Sequence, residues 1–165
     1  MKITGLMLGL FILGGLSFSG CGNSGDSGNA QQQDTFTTLQ KGAVSPFGSS
    51  PVQISVIRDE SSWATFWSAL YSSYSEKPPL PPVNFSDTAV IALVDTLRPT
   101  GGHSITINTI QPASSGVTVH SSVVSPGLNC IVTQALTQPF HLVTVPTFSG
   151  DATLEVSQSV ENCGP

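Results

Sequence analysis

The sequence predicts a mainly β fold, an antiparallel β-sandwich or open barrel with one amphipathic helix packed against it; an α+β arrangement is the alternative. Three observations lead there. Several short segments alternate apolar with polar residues, the period-2 signature of half-buried strands. One segment changes to a helical period, with Trp63, Phe66, Trp67, Leu70, Tyr71 and Tyr74 spaced to share a face. Charged residues make up only 9% of the chain, whereas 24 Ser and 16 Thr supply hydroxyls, so the polar surface is made largely of side chains that strands tolerate.

In chain order, the first element is a secretory signal over residues 1–20. Lys2 supplies a positive start, Ile3 to Leu16 an apolar run, and Ser19-Gly20 the small residues a peptidase needs before its cut. The run is too short and glycine-rich to read as a membrane-spanning helix. Leu16-Ser17-Phe18-Ser19-Gly20-Cys21 resembles the bacterial lipoprotein signal. That resemblance implies acylation of Cys21, which becomes the mature N-terminus, and a lipid-anchored place in the cell envelope, at the outer membrane or cell surface. At about 0.8 kcal/mol per buried methylene, two or three acyl chains would hold the protein on a membrane almost permanently. Ordinary secretion with cleavage nearby is the alternative.

Residues 21–34 carry no large apolar side chain and read as a flexible tether. Gly25-Asp26-Ser27-Gly28 within it copies the surroundings of a serine-protease nucleophile, but no upstream domain exists to hold the histidine and aspartate such a serine needs. Residues 35–165 then form one β-rich domain. Thr35 to Leu39 and Val52 to Val56 read as strands, separated by turn-forming Ser45-Pro46 and Gly48 to Pro51. Asp59 to Ser62 can cap a helix over residues 61–74, whose aromatic stripe is expected to face the sheet. Four prolines between Lys77 and Val83 make a rigid exit. Ala89 to Val94, inside a strand from Thr88 to Leu97, is apolar at every position and reads as a central strand covered on both faces. Ile105 and Ile107, then Val117 and Val119, mark half-buried strands, and further strands are expected at Cys130 to Leu136, Phe140 to Val145 and Ala152 to Ser157.

Removing residues 1–20 takes Lys2 with it and leaves four basic residues against ten acidic ones, a net charge of about −6. With no basic patch, nucleic acid is not an expected partner. If Cys21 is lipidated, Cys130 and Cys163 remain, and an oxidising compartment favours their disulfide. The closed loop of about 34 residues would stabilise the fold by on the order of 3 to 4 kcal/mol. A redox pair would need the close C-x-x-C spacing that these two lack. His103, His120 and His141 lie on separate elements without metal-motif spacing, so no metal or cofactor is implied. No Gly-x-Ser-x-Gly elbow appears, and no catalytic residue is assigned. An enzyme would require a histidine within reach of both a hydroxyl and a carboxylate in a concave pocket.

Four blocks spread over roughly residues 52 to 163 carry a family resemblance. They are Trp63-x-x-x-Trp67 after Asp59-Glu60; Asn84-Phe85-Ser86; Arg98-Pro99-Thr100-Gly101-Gly102-His103-Ser104; and Gln134 to Val143. Together they resemble the C-terminal domain of the PrcB family, named for a lipoprotein component of a spirochaete surface protease complex. His103 stands where the family usually has tyrosine, and Asn84 where it has aspartate. The resemblance implies a non-catalytic accessory lipoprotein that binds or stabilises a protein partner, with a surface or periplasmic protease as the precedent and no small-molecule substrate. The loop Arg98, Pro99, Thr100, Gly101, Gly102 and His103 is the candidate contact, its two glycines permitting a tight reversal. It resembles the Pro-Thr-Thr-Gly loop of chagasin-like cysteine protease inhibitors, which suggests an inhibitor-like binder; a plain hairpin tip on a passive envelope or adhesion module is the other reading.

Overall fold

The computed structural model describes residues 36–47 and 51–164. The signal segment 1–20, Cys21, the tether 21–34, Thr35 and the turn residues Gly48 to Ser50 lie outside the described residues. The elements run β1 (Thr37–Val44), β2 (Gln53–Ile57), α1 (Glu60–Leu70), β3 (Thr88–Val94), β4 (Ser104–Ala113), β5 (Gly116–Pro126), β6 (Gln138–Pro146) and β7 (Asp151–Glu161). The mainly β class with one helix is borne out, as two separate sheets. The first has the order β1-β6-β3-β2 and is antiparallel throughout; the second has the order β4-β5-β7.

Layering follows from the two central strands. On β3, Val90, Ala92 and Val94 pack against the helix side with Trp63, Trp67 and Leu70, while Ala89, Ile91 and Leu93 pack against Ile105, Ile107, Val119 and Val123 of the second sheet. β6 does the same, with Phe140 and Leu142 on the helix side and Val143 and Val145 between the sheets. An apolar run without alternation is what a strand covered twice requires. The helix, the first sheet and the second sheet therefore stack in that order.

Asp59 caps α1 as expected. Its Oδ1 accepts from the Ser62 backbone N–H at 2.8 Å, and the Ser61 and Ser62 hydroxyls also donate to the carboxylate. The Ser61 hydroxyl bond, then the Ser62 bonds, hold that carboxyl down at about 2. Trp63 and Trp67 face the sheet, buried to 1% and 4% exposure, and their indole N–H groups donate to the carbonyls of Pro81 and Pro78. The proline-rich exit is thus clamped over the tryptophans.

The helix ends at Leu70, four residues before the expected stop. Tyr71 leaves the helical region at φ −109°, and a turn closed by Tyr74 N–H to Tyr71 O carries the next aromatic onto the same side. A turn with spacing three mimics helical spacing, which is why the stripe reads as longer than the helix. β1 is also displaced, running to Val44 with a register shift between Thr38 and Gln40. Lys41 and Gly42 break its alternation, yet the backbone still pairs with β6.

Two expectations are corrected. β7 pairs with β5 in parallel, not antiparallel. Between them the chain crosses to the first sheet as β6, so it re-enters the second sheet at the end where β5 began, with Gly116 opposite Asp151. Cys130 to Leu136 is no strand. Its β-branched residues suit an extended backbone, but Ile131 and Leu136 point into solvent and no full ladder forms beside them. A Gly127 to Cys130 turn and a bond from Gly101 N–H to Thr133 O fix the segment as a loop instead.

Candidate functional site

β3 ends where the core does, and the next residue is Asp95, fully buried. Burying a carboxylate is tolerable only if its oxygens are satisfied. Arg98 Nε donates to Asp95 Oδ2 at 2.7 Å and Arg98 Nη2 to Oδ1 at 2.9 Å, while the Thr96 backbone N–H donates to Oδ1 at 2.8 Å. Gln138, also buried, donates from Nε2 to the Asp95 carbonyl at 3.1 Å and accepts from the Phe47 N–H at 3.1 Å. The guanidinium fork is thereby committed to the protein's own interior. Its side chain is 19% exposed.

The loop from Arg98 to His103 is bonded along its length to residues 133–137. Arg98 and Thr137 exchange backbone bonds at 2.8 and 3.0 Å, the Thr137 hydroxyl donates to Thr100 O at 2.8 Å, and Gly101 N–H reaches Thr133 O at 2.9 Å. Glycine is required twice. A Cβ on Gly101 would stand 2.3 Å from the Thr133 hydroxyl, and Gly102 has φ +81° with Val132 2.8 Å from where its Cβ would be. These contacts make a clasp between two of the sequence blocks that carried the resemblance. Pro99 and Gly102 are exposed at its crest.

His103 faces inward from the same loop. Its Nδ1 is buried with no hydrogen-bond partner among the described residues. Burial first, and the nearby Arg98 charge second, push its pKa below the ordinary value, against a smaller opposing pull from Asp95. Arg98 and His103 are therefore not the side chains this loop holds out to solvent.

The second loop is braced from below. Cys130 and Cys163 are disulfide-bonded with Cα atoms 4.9 Å apart, and Asn129 Nδ2 donates to the carbonyls of Cys163 and Gly164 at 2.8 and 3.0 Å. Gly127 N–H donates to Glu161 O at 2.8 Å. On this braced frame Leu128 and Ile131 are fully exposed, and Leu97, Leu136 and Val160 add further uncovered apolar surface at the same end. Sequence patterning alone misses Asp95, Leu128 and Ile131. An acidic residue closing an all-apolar strand three positions before an arginine is the signal for the first; leucine and isoleucine flanking a cysteine after Pro126-Gly127 is the signal for the others.

The remaining histidines serve other ends. His120 Nδ1 lies 3.0 Å from Glu155 Oε2 on the outer face of the second sheet, while its Nε2 is buried and unpartnered. His141, buried under the first sheet, accepts at Nδ1 from the Ile107 N–H and bonds the Thr38 hydroxyl through Nε2, each at 2.9 Å. Burial, and secondarily Lys41, lowers its pKa to about 4. Among the described residues, no histidine touches both a hydroxyl and a carboxylate, and no three of His, Cys, Asp and Glu gather where a metal could sit.

Fold and site together define a helix-backed β-sandwich whose distinguishing feature is a hydrogen-bonded loop clasp at one end. Residues 90–146, from β3 through β6 and including both arms of the clasp, match the family described as PrcB C-terminal, so the resemblance read from the sequence is borne out over that span, which holds the last two of the four blocks. No curated protein and no solved structure gives a significant match to the chain.

Proposed function

We propose that the protein is a non-catalytic accessory module of the cell envelope, anchored through lipid on Cys21, that grips a partner protein with the braced loop end. The observation that carries this is the presentation of Leu128 and Ile131, fully exposed on a loop tied down by a disulfide and by Asn129. Apolar side chains held rigidly in water favour association, because the cost of ordering them has been met before any partner arrives. The crest of the clasp, with Leu97 and Pro99, continues the same surface. Arg98 and His103 enter the proposal as the groups that hold the loop in shape. The family relationship supports an accessory role related to a protease complex, which makes an envelope protease the partner to test first.

A photo-crosslinking residue placed at Ile131 in cells of the native host tests the reading. One discrete adduct containing an envelope protease is expected, lost when Leu128 and Leu97 are changed to Ser. Adducts as abundant from exposed Glu76, or none from Ile131, would refute it. Cys21→Ser should release the protein from the membrane and weaken the adduct through lost proximity; full membrane retention without acyl label would reject the anchor.

A further inference from the structure

Each sheet has two edges, and an unpaired edge invites pairing with another chain unless something blunts it. Three edges here are blunted. β1 carries a register shift and Lys41, β4 carries a register shift between Ile107 and Thr109 together with Pro112, and β2 is only five residues long. β7 has none of these devices. Its eleven residues pair with β5 in unbroken register and include no proline, lysine or arginine.

The direction of the free groups follows from the C-terminal end of the ladder. Glu161 accepts from Gly127 N–H on the β5 side, so in a parallel ladder Glu161, Ser159 and Ser157 bond inward to β5. Val156, Gln158 and Val160 then turn their N–H and C=O groups outward. Along this half of the strand the side chains are exposed throughout, including Val156 at 38% and Val160 at 64%. The flanking charges are Glu161 and Glu155, the latter with its Oε2 3.0 Å from His120 Nδ1 on β5, and the strand itself carries no basic residue.

We infer that the outer edge of β7 from Glu155 to Glu161 is a strand-addition site for an extended segment of a partner protein that carries basic side chains between apolar ones. Backbone pairing to Val156, Gln158 and Val160 supplies the affinity that is independent of sequence. Alternation in the partner strand places its apolar side chains over Val156 and Val160 and its lysines or arginines beside Glu155 and Glu161. This surface runs along the strand, needs none of the clasp residues and shares only Val160 with the braced end, so protection at Val156 and Gln158 distinguishes its test from that of the loops.

The full chain is titrated with a capped octapeptide of alternating Lys and Val, and with its Glu-Val counterpart, while amide exchange is followed by NMR. The basic peptide should bind at least about tenfold tighter than the acidic one and protect the amides of Val156, Gln158 and Val160. Gln158→Pro removes the central outward donor and should abolish the protection, while Glu155→Lys with Glu161→Lys, which leaves the backbone alone, should invert the peptide preference. No binding, equal binding of the two peptides, or protection on another strand would overturn the inference. Protection of the same amides in the chain alone at raised concentration would assign the edge to a second copy and overturn it equally.

Discussion

Along β3 six residues from Ala89 to Val94 are apolar and buried, and Asp95, the residue that follows the strand, is just as buried but carries a carboxylate. The first six are held by volume. Any well-shaped apolar side chain could fill such a position at modest cost, since swaps that conserve volume are tolerated best. Asp95 is held by named bonds to Arg98 and Thr96, and its carbonyl by Gln138. A carboxylate there meets the guanidinium fork and the Thr96 N–H together, which no apolar side chain can do. The contrast separates a region that makes the fold from a region that fixes one loop shape; the Trp63-x-x-x-Trp67 block lies on the first, and the block from Arg98 to Ser104 lies on the second.

The sharpest test of the volume-held region is Trp67→Ala. Truncating a buried aromatic costs roughly 3 to 5 kcal/mol, through lost burial and the cavity left behind. Here the indole N–H to Pro78 is lost as well, so chemical denaturation should show a loss toward the upper part of that range, with the 78–83 segment more open to proteolysis. A loss below about 1 kcal/mol would mean that the helix layer is dispensable, and the comparison would fail.

In the bond-held region Arg98→Ala should cost about 3 kcal/mol, because it leaves Asp95 as a bare buried charge. Adding Asp95→Asn should recover part of the loss: a neutral amide still accepts from Thr96 N–H and strands no charge. If the double variant is no better than Arg98→Ala alone, the clasp is held by its backbone bonds and not by the ion pair.

The same division sets what could be read from sequence. Period and run length are properties of apolar burial, so the apolar run of β3, the start of β5 and the tryptophan face of α1 were legible, whereas the strand expected to reach Leu97 stops at Val94. The strand expected at Cys130 to Leu136 failed because propensity speaks for the backbone of one segment and says nothing about whether a neighbour is free to pair with it. The parallel partner of β7 was invisible for a related reason, being set by β6 passing through the other sheet. At the site, the glycines and the disulfide were legible, whereas the inward turn of Arg98 depended on a partner recognisable only once Asp95 was known to be buried.

His141 lies between the two regimes, a polar group inside the volume-held core. Its Nδ1 accepts from Ile107 N–H and so must be unprotonated, with Lys41 as the charge beside it. The unfolded chain takes up a proton near 6.5, while the folded protein resists until about 4. Stability from this group is therefore complete above pH 6.5, declines as pH falls through the window, and is gone near pH 4, a total on the order of 3 kcal/mol. The difference in unfolding free energy between the wild type and His141→Gln, measured across that window, should carry this slope. A flat difference would mean that the imidazole can be protonated in place, and that the bond to Ile107 is dispensable.

The smallest expected effect falls on the residues assigned the largest role in binding. Leu128 and Ile131 touch solvent on all sides, so replacing both with Ser removes almost no folded-state contact and should shift stability by no more than about 0.5 kcal/mol. Exposed apolar groups also favour compaction of the unfolded chain, so losing them acts slightly in the stabilising direction. The comparison then reaches its strictest form. Trp67→Ala should damage the fold and, only through it, binding, whereas Leu128→Ser with Ile131→Ser should leave the unfolding midpoint in place and reduce partner crosslinking from a probe at Leu136. If the double serine variant instead unfolds readily, the two side chains belong to the core of a larger packed unit, and the braced end is part of the fold and not a surface made for a partner.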